Sequence, residues 1–144
     1  MNIPLKKLNL GAGENKKEDY INLDWNNLTE PDVPHNLNTF PYPFNDDTFD
    51  LIEAFHILEH LDKPNLALKE LYRVTKKYCI LSVPNEPIWR ILNLLRGAYV
   101  RDLGNTEGHI NHWSTSSFQK LVSSYFRIVK LATPLPWTIL LCLP

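Results

Sequence analysis

The chain has 144 residues, a length that suits one domain with its own hydrophobic core. Charged residues make up 22% and apolar residues 44% of the sequence, which is the composition of an ordinary globular protein and excludes a disordered or fibrous chain. The net charge of −1 gives no reason to expect nucleic acid or an anionic membrane as a partner. We therefore expect a single domain over residues 1–144.

Two features of the sequence bear on the compartment. Cys79 and Cys142 lie inside apolar runs and are typical of small buried hydrophobic residues in a reducing compartment, rather than of a disulfide framework. The N-terminal segment 1–7 lacks the apolar core of a signal peptide, and no apolar run reaches the roughly 18–20 residues of a membrane span. The expectation is a cytoplasmic protein that does not use a membrane.

Periodicity predicts strands followed by alternating strands and helices. Seven strands are predicted, near residues 6–10, 20–24, 32–36, 49–55, 78–83, 126–132 and 137–142. Three helices are predicted, near residues 64–76, 87–96 and 115–124. Pro64 suits the start of the first helix, and the cap-competent run 114–117 suits the start of the third. Alternation in the second half indicates a parallel α/β sheet.

The N-terminal half has too little room for helices. The first two strands alternate apolar and polar residues, which indicates one covered face, and only Glu14–Asp19 separates them. They are joined by a bare loop or they pair as a hairpin. Four prolines within residues 25–48 also oppose a long helix, whereas the apolar runs 51–55 and 79–83 favour strands covered on both faces. The prediction is a doubly wound sheet with one thinly covered face, which invites a homodimer or another partner.

A glycine turn follows the first strand at Leu10–Gly13, and the second strand ends in Asp24. Glycines without a Cβ let a ligand come close to the backbone, and an acid in this place can accept hydrogen bonds from both hydroxyls of a ribose. The order therefore suits a nucleotide-like ligand. A third glycine and a helix after the turn are both missing, which argues against a nicotinamide dehydrogenase.

Four segments carry a more specific likeness: Leu10–Gly13, Tyr20–Asp24, Phe40–Asp50 and His56–Leu61. Together they resemble the class I S-adenosylmethionine-dependent methyltransferases, and the small type 11-like members most closely. The resemblance implies an α/β fold with a Rossmann-like, mostly parallel seven-stranded sheet and reduced N-terminal helices. It also implies methyl transfer from S-adenosylmethionine, with S-adenosylhomocysteine as product, to a small-molecule acceptor that the sequence does not identify.

The same resemblance implies a cofactor site. Its members would be Asn9, Gly11, Gly13, Asp24, Trp25, Asn36, Leu37 and Phe55. The amides of Gly11 and Gly13 would meet the methionine end, with Asn9 beneath the turn. Asp24 would bind the ribose hydroxyls, while Trp25 either stacks on adenine or covers the strand edge.

Other positions would serve adenine and the reaction. The pair Asn36-Leu37 stands where the family usually has an acid and an apolar residue, and an amide accepts from adenine less strongly than a carboxylate. Phe55 and His56 would lie near the transferring methyl group. His56 is the first candidate general base for a hydroxyl or protonated amine acceptor, followed by His109 and His112. The alternative for the last two is a capping turn with locally hydrogen-bonded histidines.

Residues 56–60 also match H-x-x-E-H, the pattern of inverted zinc proteases. Histidines four residues apart on a helix share a face, as zinc ligands must. This segment is short, follows a strand directly and is closed by Pro64, and no third ligand is evident, so no metal is expected. Glu59 and His60 are expected instead to hold the strand-to-helix turn by hydrogen bonds.

A function of another class also accounts for the sequence. The protein would be a non-catalytic module that binds S-adenosylmethionine or acts as a scaffold. The small size, the missing helices and Asn36 favour this alternative, whereas the glycine turn, Asp24 and the histidine-rich segment 109–112 favour the enzyme.

Overall fold

In the computed structural model, which describes residues 4–144, seven strands form one sheet. In chain order they are β1 (Lys7–Leu10), β2 (Ile21–Asp24), β3 (Val33–Pro34), β4 (Phe49–Phe55), β5 (Thr75–Pro84), β6 (Arg127–Ala132) and β7 (Trp137–Leu143). Their spatial order is β3-β2-β1-β4-β5-β7-β6, and only β7 runs antiparallel to its neighbours. The predicted Rossmann-like, mostly parallel seven-stranded sheet is confirmed. Met1–Ile3, which the single-domain prediction included, lie outside the described residues.

Three α-helices accompany the sheet: α1 (Pro64–Val74), α2 (Glu86–Leu95) and α3 (Thr115–Val122). Pro64 occupies the first turn of α1, where a missing N–H is not needed, and Ser114 caps α3 by accepting a hydrogen bond from the N–H of Ser117 at 3.2 Å. The longest of these helices has eleven residues. Within residues 4–144, therefore, none is long enough to cross a bilayer.

A bare loop joins β1 to β2. The two strands pair in parallel, with Leu8 opposite Ile21, so the hairpin alternative is excluded. The side chain of Asn22 replaces the missing helix as an organiser of this loop: its Oδ1 accepts from the N–H of Lys17 at 2.9 Å, and its Nδ2 donates to the Lys17 carbonyl at 3.0 Å. The predicted reduction of the N-terminal helices is confirmed.

The hydrophobic core lies between α1, α3 and one face of the sheet. Side chains of every second strand residue, such as Ile52 and Leu81, are wholly buried there. The helices contribute Leu68 and Phe118, which are equally buried. The carboxyl ends of the parallel strands lie at one edge of the sheet, and the helices pack against one face of these strands.

The opposite surface of the sheet is called the open face. Its members in register across the central strands are Glu53, Ile80 and Leu141, flanked by Tyr78 and Phe55. Tyr78 is 46% exposed and Phe55 38% exposed. The expectation that both faces of 51–55 and 79–83 are covered is therefore wrong for this part of the sheet: β5 and β7 place apolar side chains on this face, such as Ile80 and Leu141, that are only partly buried.

Candidate functional site

A cavity of about 490 Å³ opens beyond the carboxyl ends of β1 and β2. Parallel α/β sheets bind their ligands at this edge, and the volume is within the range of small-molecule sites. The lining residues are Gly11, Asp24, Trp25, Asn36, Leu37, Asn38, Ile57, His60 and Leu61. Five of the eight residues predicted to bind a cofactor thus lie around one cavity.

The glycine turn forms one wall of the cavity. Gly11 has a φ of 69°, which favours glycine, and a Cβ at this position would overlap Cδ1 of Ile57, so a larger residue would displace that side chain. The N–H of Gly11 donates to the Leu23 carbonyl at 2.8 Å, and the N–H of Gly13 donates to Oδ2 of Asp24 at 2.9 Å. Both amides are already hydrogen-bonded within the protein. A ligand can therefore make van der Waals contact with the turn but finds no free N–H donor at these two residues.

The carboxylate of Asp24 is fixed at the end of β2. The side chain is buried, and its two oxygens accept from the backbone N–H groups of Gly13 and Asn26, each at 2.9 Å. A carboxylate oxygen has a second acceptor position, so both oxygens can still receive a hydroxyl from the cavity. Trp25 follows at the mouth, where it is 71% exposed.

The far wall of the cavity comes from the segment after β3. Leu37 is buried, and its carbonyl accepts a hydrogen bond from the hydroxyl of Tyr42 at 3.2 Å. Oδ1 of Asn36 accepts from the N–H of Asn38 at 2.9 Å, which occupies one of its acceptor positions. An apolar wall with one amide beside it suits a heterocyclic base.

Three residues predicted for the cofactor lie outside the cavity lining: Asn9, Gly13 and Phe55. Asn9 braces the turn from below, since its Nδ2 donates to the Asn15 carbonyl and to Oδ1 of Asn22, both at 3.0 Å. Phe55 shares the open face with Glu53, because alternate residues of a strand point the same way, and Nζ of Lys17 lies 5.2 Å from its ring centroid. Phe55 was expected to lie near the transferring methyl group, but of the residues after β4 it is Ile57 that lines the cavity.

A cluster of histidines and acids borders the cavity. The main-chain N–H groups of Ile110 and Asn111 donate to the Glu59 carbonyl at 2.9 and 3.0 Å, so the segment 108–111 is fastened to the 3₁₀ turn Leu58–His60. The ring centroids of His60 and His109 are consequently 4.9 Å apart. The structure thereby joins two histidine-containing segments that are distant in sequence.

Glu86 connects the two later histidines. Its Oε1 lies 3.4 Å from Nδ1 of His109 and 3.2 Å from Nδ1 of His112. The histidine-rich rim expected at residues 109–112 is therefore anchored to the first turn of α2. His109 is buried, whereas His112 is exposed beside Pro87.

Burial shifts the protonation of this cluster. It lowers the pKa of His56, and the nearby His109 and His60 lower it further. Burial also lowers the pKa of His109, although the hydrogen bond from this ring to Glu86 opposes the change. Both rings are therefore biased towards the neutral form that can act as a base or a ligand.

Glu59 corrects one expectation from the sequence. Its backbone carbonyl, not its side chain, holds the turn, and among residues 4–144 no donor is hydrogen-bonded to either carboxyl oxygen. Burial raises the pKa of this carboxyl to about 8, and the charge of Glu86 adds to the rise. The side chain of His60 hydrogen-bonds outside the turn as well, since its Nδ1 lies 2.7 Å from the carbonyl of Gly108 in a distant segment.

Comparison with known proteins assigns the fold. Residues 13–83 match the family model described as a methyltransferase domain. No curated protein matches the sequence. Among solved structures, an S-adenosylmethionine-dependent methyltransferase from Archaeoglobus fulgidus has a TM-score of 0.71 at 14% identity, with 97% of this chain and 86% of that chain covered. The chain has the fold of the class I S-adenosylmethionine-dependent methyltransferases, and residues 13–83 match the methyltransferase-domain family.

Two further structures show the same methyltransferase fold. The S-adenosylmethionine-dependent methyltransferase from Mesorhizobium loti has a TM-score of 0.70 at 11% identity, with 97% of this chain and 91% of that chain covered. A Haloferax volcanii protein is described as a methyltransferase in complex with the Trm112 methyltransferase activator. It has a TM-score of 0.67 at 12% identity, with 99% of this chain and 84% of that chain covered. The family implies S-adenosylmethionine as the cofactor.

The residues around the cavity fit that cofactor. A Cβ at Gly11 would fill the turn, and the buried carboxylate of Asp24 faces the cavity with acceptor capacity to spare. Sequence reasoning missed Asn38, Ile57, His60 and Leu61 as lining residues. Their only signal was proximity to motifs already recognised, because neither an apolar nor a single polar side chain shows in the sequence whether it faces a ligand.

Proposed function

We propose that this protein transfers a methyl group from S-adenosylmethionine to a small-molecule acceptor. The supporting observation is the cavity at the sheet edge, in which the glycine turn and the Asp24 carboxylate meet an apolar wall beside a histidine cluster. The cofactor supplies a methyl group on a sulfonium, an electrophile that requires alignment and exclusion of water more than activation. The protein's task is therefore mainly to orient two ligands.

Roles follow from the position of each side chain. Asp24 accepts from the ribose hydroxyls, Gly11 lets the methionine end lie against the turn, and Leu37 contacts adenine. His56 is the first candidate base, because its Nδ1 has no hydrogen-bond partner within the described chain and its pKa is lowered. His112 is the next candidate, since it is exposed and borders a second hollow beside α2.

Titration calorimetry with S-adenosylmethionine and S-adenosylhomocysteine tests the cofactor site. We expect about one site per chain, and at least a tenfold weaker affinity for Asp24→Ala, a loss of about 1.4 kcal/mol. Asp24→Asn keeps one acceptor oxygen for the backbone and separates loss of charge from loss of turn structure. The exposed Asp19→Ala is the matched control and should bind as the wild type does. Absence of heat with both ligands would contradict the proposal.

The non-catalytic module remains the second candidate. The open face favours it, because an uncovered apolar sheet surface suits a scaffold as well as an enzyme. A screen of hydroxyl, amine and thiol acceptors with radiolabelled cofactor distinguishes the two. Tight cofactor binding without methyl transfer to any acceptor class would favour the module, and turnover that depends on His56 would favour the enzyme.

We also propose that the open face mediates a homodimer. Ile80 and Leu141 lie at its centre, with charged groups to either side at Glu53 and Lys130, which is the arrangement of an apolar interface core with a polar rim. The alternative to a second copy on the open face is a different protein, because the similar Haloferax volcanii structure is bound to an activator protein. A cytoplasmic location is proposed on the two free, buried thiols.

A further inference from the structure

Three metal-ligating side chains converge next to the cofactor cavity. Glu59, His60 and His109 each offer one ligand atom, and these atoms all lie within 4.8 Å of one another. Hydrogen bonds between the main chains of 58–60 and 110–111 hold the two segments together, so the arrangement does not need an ion to form. The sequence prediction of no metal considered His56 and His60 as the two histidine ligands, whereas the cluster joins Glu59 and His60 to His109.

Glu59 is a buried acid that lacks a partner. It is 1% exposed, and in the described chain neither carboxyl oxygen has a hydrogen-bond donor. An ionised carboxylate in such a place is costly unless a proton or a cation accompanies it. The nearest nitrogen with which it forms an ion pair is Nδ1 of His56, at 3.7 Å, beyond hydrogen-bond distance. The environment therefore has room for a positive charge that the chain itself does not supply.

Each histidine has one ring nitrogen beside an acceptor, which leaves the other nitrogen with a lone pair. A carbonyl can only accept, so Nδ1 of His60, 2.7 Å from the Gly108 oxygen, carries the proton. Nδ1 of His109 lies 3.4 Å from Oε1 of Glu86, and a carboxylate likewise accepts. Nε2 is then the lone-pair nitrogen of each neutral ring. An imidazole whose other nitrogen donates to a carbonyl or a carboxylate is the usual form of a metal-binding histidine.

We propose that Glu59, His60 and His109 bind a divalent metal ion, and that zinc fits these donors best. Two imidazole nitrogens and one carboxylate are the protein ligands of three-ligand zinc sites, which keep a further position open. The ion replaces the proton that a buried carboxyl without a donor otherwise keeps. His60 is exposed and lines the cavity, which provides an entry path. The proposal gives His109 a ligand role in place of a base role and goes beyond methyl transfer.

Cobalt and zinc titrations of chelator-treated protein test this site. We expect about one equivalent of Co²⁺ to bind with visible absorption bands of a low-coordinate N/O site, and Zn²⁺ to displace it. Glu59→Gln and His109→Ala should each weaken zinc binding at least tenfold, because even changes to the partners of metal ligands cost 10–100-fold in affinity. His35→Ala, which alters a histidine outside the cluster, is the control and should bind as the wild type does.

A measurement on the wild-type protein guards against variants that fail to fold. In imidazole ¹H–¹⁵N spectra, zinc should shift Nε2 of His60 and His109 and leave His35 unchanged. No zinc-dependent shift at these two rings, or undiminished zinc affinity in folded Glu59→Gln and His109→Ala, would overturn the proposal. Calorimetry with S-adenosylhomocysteine on the same samples reports the cofactor site separately, so failure of the metal site and failure of the cofactor site are distinguishable.

Discussion

At the scale of single residues, the cavity depends on a close approach between two loops. Gly11 lies in the turn after β1 with a positive φ, and Ile57 from the loop after β4 occupies the space where a Cβ would stand. Gly13, two residues later, has open space around the same position. The two positions therefore favour glycine for different reasons. At Gly11 the packing against Ile57 matters, whereas at Gly13 only the backbone conformation does.

Gly11→Ala should disrupt the cofactor site far more than Gly13→Ala. The new methyl group overlaps Ile57, so we expect a loss of about 1–3 kcal/mol in the free energy of unfolding, beyond the cost of about 1 kcal/mol for a strained φ. Urea denaturation measures this loss, and calorimetry with S-adenosylhomocysteine should show weaker binding. Ile57→Ala in the same chain should restore part of the stability. Equal stability losses at the two glycines would contradict the packing argument.

The two thiols should be inert in the native protein. Cys79 and Cys142 are directly opposite each other on β5 and β7, and both are free and buried. Burial raises both thiol pKa values, that of Cys142 to about 12, so the reactive thiolate is scarce at neutral pH. Reaction with a thiol-specific disulfide reagent should be slow in buffer and should count about two thiols per chain in denaturant. Fast reaction of the folded protein would contradict this burial.

At the scale of elements, α1 is fastened to the loop before β4 by one arginine. Arg73 donates to the carbonyls of Phe44 and Tyr42 at 2.8 and 3.2 Å and pairs with Glu70 and Asp46 at 2.6 and 2.8 Å. The Glu70 carboxylate also accepts from the N–H of Tyr42 at 2.8 Å. Arg73 and Glu70 thus form a polar clamp that holds the loop before β4 against α1.

The clamp should make stability depend on pH. Hydrogen bonds from Arg73, with one from the N–H of Tyr42, hold the pKa of Glu70 below its ordinary value. The stabilisation is therefore present above the unfolded pKa and is lost as the pH falls through the lower folded value. Glu70→Gln should lose about 1–2 kcal/mol of unfolding free energy at pH 7 and less at pH 3, measured by urea titration. The exposed Glu18→Gln should show no such difference, and a pH-independent loss at Glu70 would contradict the mechanism.

Most elements were predictable because periodicity and caps are local signals. The bounds of β4 agree with the sequence, and the start of α1 at Pro64 follows from proline chemistry. The end of α1 was not predictable, because β5 begins at Thr75 without a loop and no glycine or proline marks the change. Five of the residues that line the cavity at the sheet edge were predictable from its motifs. The pairing of His60 with His109 was not, because it depends on hydrogen bonds between segments far apart in sequence.

At the scale of the whole molecule, the missing helices leave the sheet with two unlike surfaces. One face forms the core under α1 and α3, and the other presents polar side chains on β1 and β2 but apolar ones on β5 and β7. Asn9 and Asn22 hydrogen-bond each other on the polar part, at 3.0 Å. Exposure of the apolar part around Ile80 to water costs free energy. Association with another protein surface is the ordinary way to bury such a patch.

The open face should pair with its own copy in solution. A two-fold symmetric interface uses the same surface patch on both protomers. One interface would therefore bury the apolar row through Ile80 and Leu141 of each protomer. Light scattering across a concentration series should give a mass twice that of one chain at the upper end. Ile80→Lys should raise the dimer dissociation constant at least tenfold, about 1.4 kcal/mol, while its circular dichroism stays native. Leu28→Lys, at a site 92% exposed and away from the sheet, should leave the mass unchanged, and a monomer at every concentration would exclude the homodimer and direct attention to a different protein partner.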